Sequence, residues 1–252
     1  MNAEKLEKLK KFRAEQGNPY AETVFNKTQS ISDLRESFAE GKPAVTAGRL
    51  MTRRGHGKSC FFHIADATGL IQGYARKDAM GDELFDLFMS MDLGDIVGIE
   101  GEMFVTRTGE PTIMVKSFKL LSKMLHDLPE KWHGLTDVET RFRKRYVDLL
   151  ANREVAQLFA TRSRIVSYIR SFFEREGFME VETPMLHPIP GGAAGRPFIT
   201  HHNALDIDIY MRIAPELYLK RLLVGGYDRV YEINRSFRNE GLSVKHNPEF
   251  TM

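Results

Sequence analysis

The sequence predicts an α+β chain in which a small β-barrel with flanking helices precedes an antiparallel sheet with helices of its own. Three observations predict it. Five short β-prone runs, at 44–51, 59–65, 69–75, 95–105 and 112–121, are separated by glycine or charged turns. One helical piece, Asp82 to Met91, falls between the third and fourth runs. Beyond a Pro- and Gly-marked connector at 123–136, a long helical segment at 154–177 leads into short runs that end in a strand–turn–strand pattern.

Composition narrows the function classes. A formal net charge of +2 excludes a global basic signature, so any nucleic-acid surface must be local. Cys60 is the single cysteine, which rules out an intrachain disulfide and reads as a small buried apolar residue. The charged start MNAEKLEKLKK has no apolar core of a secretory signal. No apolar run approaches the ~18 residues of a membrane span, so the expected location is cytoplasmic, with no membrane partner.

Residues 3 to 16 read as a helix, with Leu6, Leu9 and Phe12 at helical spacing and Gly17-Asn18-Pro19 ending it. Lys8, Lys10 and Lys11 on it offer a weak attraction for RNA phosphate. A second helix is expected from Ser32 to Ala39, capped by Ser32. Five strands with a helix between the third and fourth is the order of an OB-fold barrel, a fold that binds single strands by stacking bases on aromatics in a basic groove. Phe61 on the second strand is a candidate stacking ring, with a core position as the alternative. Gln72, an amide between apolar residues in LIQGY, has an edge suited to reading a base. Arg49, Arg53 and Arg54 lie on or just after the first strand.

After the connector, Arg141, Arg143, Lys144 and Arg145 cluster in RFRKRYVDLL, either as a solvated helix face or as a contact for RNA or a partner subunit. The helix at 154–177 carries Ile165, Ile169, Phe172 and Phe173 at helical spacing. In FMEVETPML, Glu180 and Glu182 alternate with Met179 and Val181 before Pro184 breaks the strand. Gly191 and Gly192 allow close backbone approach to a ligand. Residues 205–213 alternate as a half-buried strand, Leu205, Ile207 and Ile209 against Asp206 and Asp208. Glu216 then opens a helix, where a carboxylate complements the helix dipole.

The stretch RSFRNEGLSVKHNPEFTM, Arg235 to Met252, clusters Arg235, Arg238, Lys245 and His246 with Glu240 and Glu249. The β-prone Arg229–Ile233, a turn at Gly241 and a return from Pro248 predict an antiparallel hairpin able to hold a polyphosphate. Phe250 offers a ring face beside a phosphate-binding arginine.

From about Val45 onward the chain resembles the class II aminoacyl-tRNA synthetases, most closely the lysine enzymes, with aspartate and asparagine enzymes as near relatives. FRNEG with HNPEFTM is similar to motif 2, the long helix with Pro184 to motif 1, and GGAAGRPF to the GGA-x-x-x-PF loop of lysine enzymes. GRLMTRRGHGKSCFFHIADATGLIQGYAR resembles their anticodon-binding domain. The resemblance implies an N-terminal extension at 1–43, an OB-fold anticodon-binding domain at 44–125, a linker at 126–140 and a truncated antiparallel-sheet catalytic domain at 141–252. It implies that lysine and ATP form lysyl-adenylate and that tRNA(Lys) then accepts the lysyl group. Arg238 would be catalytic, gripping the α-phosphate and the substrate carboxylate; Glu240, His246 and Asn247 would help hold ATP; and Phe250 would stack on adenine. Glu216 would bind the amino acid's α-ammonium, with Gly192 lying near it. Phe61 would stack on the central anticodon uridine, with Gln72 and Arg53 contacting the anticodon, and Pro184 would lie at a homodimer interface. Ser117 stands where many relatives carry an acidic residue, which leaves the reading of the third anticodon base open. Mg2+ is implied, with its ligands and motif 3 expected beyond residue 252 and the chain expected to be incomplete. An aspartate or asparagine enzyme and a non-catalytic OB-fold RNA-binding protein are the alternatives.

Overall fold

The computed structural model describes residues 2–21, 23–128, 135–241, 243 and 246–252. These form two compact units, one ending at Asn152 and one starting at Arg153.

The first unit opens with α1 (Ala3–Gln16), where the Asn2 side chain accepts from the amides of Glu4 and Lys5. Next comes α2 (Ile31–Glu36). Its cap is Ser30, not the expected Ser32. The Ser30 hydroxyl accepts from Asp33 N while the Asp33 carboxylate accepts from Ser30 N, a reciprocal box that satisfies two amides at once. The Ser32 amide is instead bonded to Thr68 Oγ1.

Five strands follow: β1 (Pro43–His56), β2 (Ser59–Ala65), β3 (Leu70–Arg76), β4 (Ile96–Val105) and β5 (Pro111–Ser122). The helices α3 (Lys77–Met80) and α4 (Asp82–Ser90) sit between β3 and β4. The sheet closes in the order β1-β2-β3-β5-β4, and β1 also pairs with β4. The α+β class and the OB order are therefore borne out. β1 runs past the predicted end at residue 51 because its first half pairs with β4 and its second with β2, dividing at Arg49. Alternation sends Cys60, Phe62 and Ile64 inward, onto a core with Leu50, Ile71, Phe88, Val97, Ile99, Ile113 and Val115. Gly73 is required beside this core: a Cβ there would lie 2.2 Å from the Phe62 ring. Two short helices, α5 (Val138–Arg143) and α6 (Arg145–Ala151), end the unit. Arg141 and Arg145 both pair with the buried Asp148, and Arg143 pairs with Glu139, so two carboxylates offset part of this basic cluster.

A buried charge network ties α1 to the barrel. Lys123 Nζ lies 2.8 Å from Asp95 and 2.5 Å from Asp92, and Asp92 also receives Lys8 Nζ at 2.8 Å. The α1 lysines are thus spent on carboxylates, Lys10 on Glu7 and Lys11 on Glu15.

The second unit begins with α7 (Arg153–Arg175). Ile165 and Phe172 remain exposed on it, while Phe173 packs against Phe178 and stacks on Tyr231 at 4.7 Å. The strands are short: β6 (Met179–Glu180), β7 (Leu186–His187), β8 (Ile199–His202) and β9 (Ile207–Met211). After α8 (Glu216–Val224) come β10 (Val230–Tyr231), β11 (Arg235–Phe237) and β12 (Glu249–Thr251). The sheet β7-β9-β8 and the hairpin β11-β12 are antiparallel, whereas β6 and β10 pair in parallel. Two expectations need correction. The first hairpin strand is Arg235–Phe237 and not 229–233, because Val230 and Tyr231 are claimed by β6. The predicted half-buried strand at 205–213 shortens to β9, with Leu205 and Ile207 exposed and burial starting at Arg212. Among the described residues no helix is long and apolar enough to cross a membrane.

Lys123 gives the fold a direct test. Lys123→Met leaves Asp95 buried and unpaired, which is expected to cost about 3–5 kcal/mol in the first unit's stability by chemical denaturation. Burial raises the Asp92 carboxyl, yet hydrogen bonds from Lys123 and Lys8 outweigh that and hold it below its ordinary 3.8. A depressed folded pKa means its contribution is full above the ordinary value and is lost as pH falls through the folded value. The penalty for Lys123→Met should therefore shrink below about pH 4.

Candidate functional site

The outer face of β1–β3 carries the first set of groups. Register sets Phe61 opposite Tyr74 on β3 and opposite Arg54 on β1. Phe61 is 38% exposed, so it is not a core residue, and it stacks on Tyr74 with ring centroids 4.2 Å apart. Tyr74 in turn approaches Phe104 at 6.1 Å. Two pairs along, on the same face, Gln72 faces His63. Gln72 Nε2 donates to Glu110 Oε2 at 3.0 Å, and its Oε1 accepts from Thr112 Oγ1 at 2.8 Å. His63 lies between Thr52 Oγ1 at 2.8 Å and Glu110 Oε1 at 3.4 Å. The amide is thereby held in one orientation, and each end retains hydrogen-bonding capacity for a base edge.

Arg53 lies elsewhere. Its neighbour in register is the inward-facing Phe62, and its guanidinium donates to the Met91 and Phe88 carbonyls at the C-terminal end of α4, at 2.6 and 3.3 Å. Arg54 is the exposed arginine beside Phe61. Ser117 donates to Glu100 at 3.2 Å, and the carboxylate nearest Gln72 is Glu110, just before β5. Tyr74, His63 and Glu110 were not singled out from sequence; the outward parity of β2 and β3 marks the first two, while Glu110 sits in a turn where parity is silent.

The second set surrounds the β11-β12 hairpin. Ser236 pairs with Phe250 and Phe237 with Glu249, and Arg238 N donates to Pro248 O at 2.9 Å. Arg238, Glu240, Gly241, His246, Asn247 and Phe250 line a cavity of about 210 Å3. The Arg238 guanidinium lies 5.3 Å from the Phe250 ring centroid, and its buried Nε has no acceptor among the described residues. The His246 ring is held by Ser243 Oγ at 2.7 Å. Lys245 lies outside the described residues. Arg235, expected in the phosphate-holding cluster, instead pairs with Glu249 at 3.2 Å.

The glycine loop joins this hairpin through Asn239 N, which donates to Arg196 O at 2.8 Å. Gly192 has φ +92 and approaches the Ala214 carbonyl so closely that a Cβ would lie 2.9 Å from it. It therefore sits at the entrance to α8, where Glu216 is the first residue. The Glu216 carboxylate is exposed and paired with Lys220 Nζ at 2.6 Å. Pro184 is exposed, and its carbonyl accepts from His187 Nε2 at 2.9 Å. Among the described residues no group of three or more His, Cys, Asp or Glu is placed to hold a metal ion.

Two known families match successive parts of the chain. Residues 44–121 match the OB-fold nucleic acid binding domain, and residues 137–252 match the tRNA synthetases class II (D, K and N). The chain therefore carries an OB-fold domain followed by a class II tRNA synthetase domain. The curated relatives that the chain resembles are named lysine–tRNA ligases. The chain is 57% identical over 250 residues to a lysine–tRNA ligase of Carboxydothermus hydrogenoformans, covering 98% of this chain and 51% of the relative. It is 58% identical over 248 residues to that of Pelotomaculum thermopropionicum, covering 98% and 49%, and 54% identical over 250 residues to that of Syntrophomonas wolfei, covering 98% and 50%. The chain thus spans about half the length of the curated relatives it matches.

Gly192→Ala tests the loop geometry. A left-handed backbone and a carbonyl at 2.9 Å both oppose the added methyl, so a loss of about 1–3 kcal/mol in the second unit is expected in thermal unfolding. Cleavage within 190–197 should speed up in limited proteolysis.

Proposed function

We propose that this chain carries the ATP-gripping hairpin and the anticodon-reading barrel of a cytoplasmic, homodimeric lysine–tRNA ligase. The observation that carries the reading is the hairpin cavity, whose lining contains every side chain the motif 2 resemblance assigns to ATP. In this reading a lysine carboxylate oxygen attacks the α-phosphorus, the bond to pyrophosphate breaks, and lysyl-adenylate forms. A ribose hydroxyl at the tRNA 3′ end then attacks the lysyl carbonyl and AMP leaves. Arg238 is permanently charged, and its fork grips an α-phosphate oxygen and the incoming carboxylate together. The buried Nε without an acceptor supports this, since a substrate oxygen satisfies it. Phe250 stacks on adenine, and Glu240, His246 and Asn247 hold the nucleotide's remaining edges. Gly192 and Glu216 hold the α-ammonium, which displaces Lys220 from the carboxylate. Mg2+ accompanies ATP, but the described residues offer no ligand set for it and no step is assigned to it.

The anticodon face supports the other half of the reading. One Phe61 face is occupied by Tyr74, leaving the other for the central uridine, with Gln72 on its edge. Because Arg53 is held by the end of α4, we assign the backbone contact to Arg54. The domain division follows the same line, with the barrel at 44–125, a linker at 126–140 and the catalytic part from 141. Dimerisation through α7 and Pro184 is supported by the exposed Leu158, Ile165, Tyr168 and Phe172.

Two substitutions test the halves separately. Arg238→Ala should slow lysine-dependent ATP–pyrophosphate exchange by roughly two to three orders of magnitude, as loss of a charge-stabilising donor does. Exchange near the wild-type rate would refute the assignment. Phe61→Ala should weaken tRNA binding by about 1–3 kcal/mol, the worth of one stacked base, with exchange unchanged. Unchanged affinity together with a lower barrel melting temperature would return Phe61 to a purely structural role.

A further inference from the structure

Arg212 is one of the largest fully buried side chains among the described residues, and nothing so far has given it a task. Its side chain and that of Glu232 are each 1% exposed, and Nη1 lies 2.6 Å from the Glu232 carboxylate. Arg212 Nη1 also donates to Thr183 Oγ1 at 3.1 Å, and Nε donates to the Arg235 carbonyl at 2.7 Å. Glu232 completes the ring: its Oε2 accepts from Thr183 Oγ1 at 2.7 Å, and its Oε1 accepts from Thr183 N and Asn234 Nδ2, each at 3.2 Å. Burial raises the Glu232 carboxyl, but bonds from Thr183 and Arg212 outweigh it and keep the group ionised.

The main chain of Arg212 adds to this. Its amide donates to Met185 O at 2.8 Å, and its carbonyl accepts from Phe237 N at 2.9 Å. One residue therefore bonds both ends of β11, Arg235 through its side chain and Phe237 through its backbone. Arg238 is the next residue, and it leaves β11 for the cavity. Buried ion pairs are poor stabilisers but strict about geometry, because an off-register arrangement strands a charge in the interior.

We propose that Arg212 and Glu232 are positioning residues for the adenylation step, fixing where β11 releases Arg238 toward the α-phosphate. The proposal rests on Arg238 being the phosphate-gripping group. A displacement of about 1 Å in such a group can cost on the order of 10²-fold in rate. Lysine at 212 keeps the charge but cannot serve the Arg235 carbonyl and Glu232 with a planar fork.

The test uses the protein at its native length as wild type, Arg212→Lys, Glu232→Gln, Arg238→Ala and the double variant Arg212→Lys/Arg238→Ala. Adenylate formation is followed in the pre-steady state and divided by the titrated number of active sites. The expected result is at least a tenfold loss per active site in Arg212→Lys and Glu232→Gln, with KM for ATP and lysine within about threefold. The double variant should be no slower than Arg238→Ala, because a residue acting through Arg238 has nothing left to position. Fewer active sites with a normal rate per site would overturn the proposal and leave a structural role. Multiplicative losses in the double variant would overturn it by showing action through another group. Failure of the underlying reading has its own signature, a wild-type rate in Arg238→Ala, and that too overturns the proposal.

Discussion

Antiparallel register places the side chains that matter in both units. On the barrel, the β1-β2 and β2-β3 pairings set Arg54, Phe61 and Tyr74 in one row and His63 with Gln72 in the next. At the hairpin, Ser236 opposite Phe250 sets Arg238 just past the last paired residue, facing the ring. A slip of one residue in either ladder would send Phe61 into the core or turn Phe250 away from Arg238, since side chains alternate faces along a strand. The barrel holds its register by closure: β1 is committed to β4 before Arg49 and to β2 after it.

The second unit holds register differently. Its strands are two to five residues long, too short for backbone ladders to fix alignment alone. Contacts outside the ladders supplement them: the Arg212 side chain reaches Thr183, Glu232 and Arg235, the Asn239 amide reaches the glycine loop, and Gly192 seats that loop on the entrance to α8. Replacing the Arg212–Glu232 pair with apolar residues need not cost stability. Its value is geometric, because few other arrangements bring the two buried charges together.

The barrel was largely legible in the sequence, because β2 and β3 are half-buried and alternate cleanly, as SCFFHIA does. The helix ends were less so. Ser30 and Ser32 are chemically alike, and only the Ser30–Asp33 spacing distinguishes the cap. Arg53 and Arg54 differ by parity, which becomes readable only once the turn at Gly57-Lys58 fixes the β1-β2 register. In the second unit, no local pattern reveals that Arg212 and Glu232, twenty residues apart, will neutralise each other in the interior. The cavity residues Arg238, Glu240, His246, Asn247 and Phe250 came from motif wording, and they converge because the hairpin brings both ends of that wording together.

In the proposed function the barrel reads the anticodon and the hairpin activates lysine. Charging measures both at once. Protein at its native length, a UUU-anticodon tRNA transcript and ATP are incubated with lysine, aspartate or asparagine, and kcat/KM is measured for each amino acid. The account predicts charging with lysine alone, reduced when the central uridine is replaced. Charging with aspartate or asparagine at an equal or greater kcat/KM would contradict it.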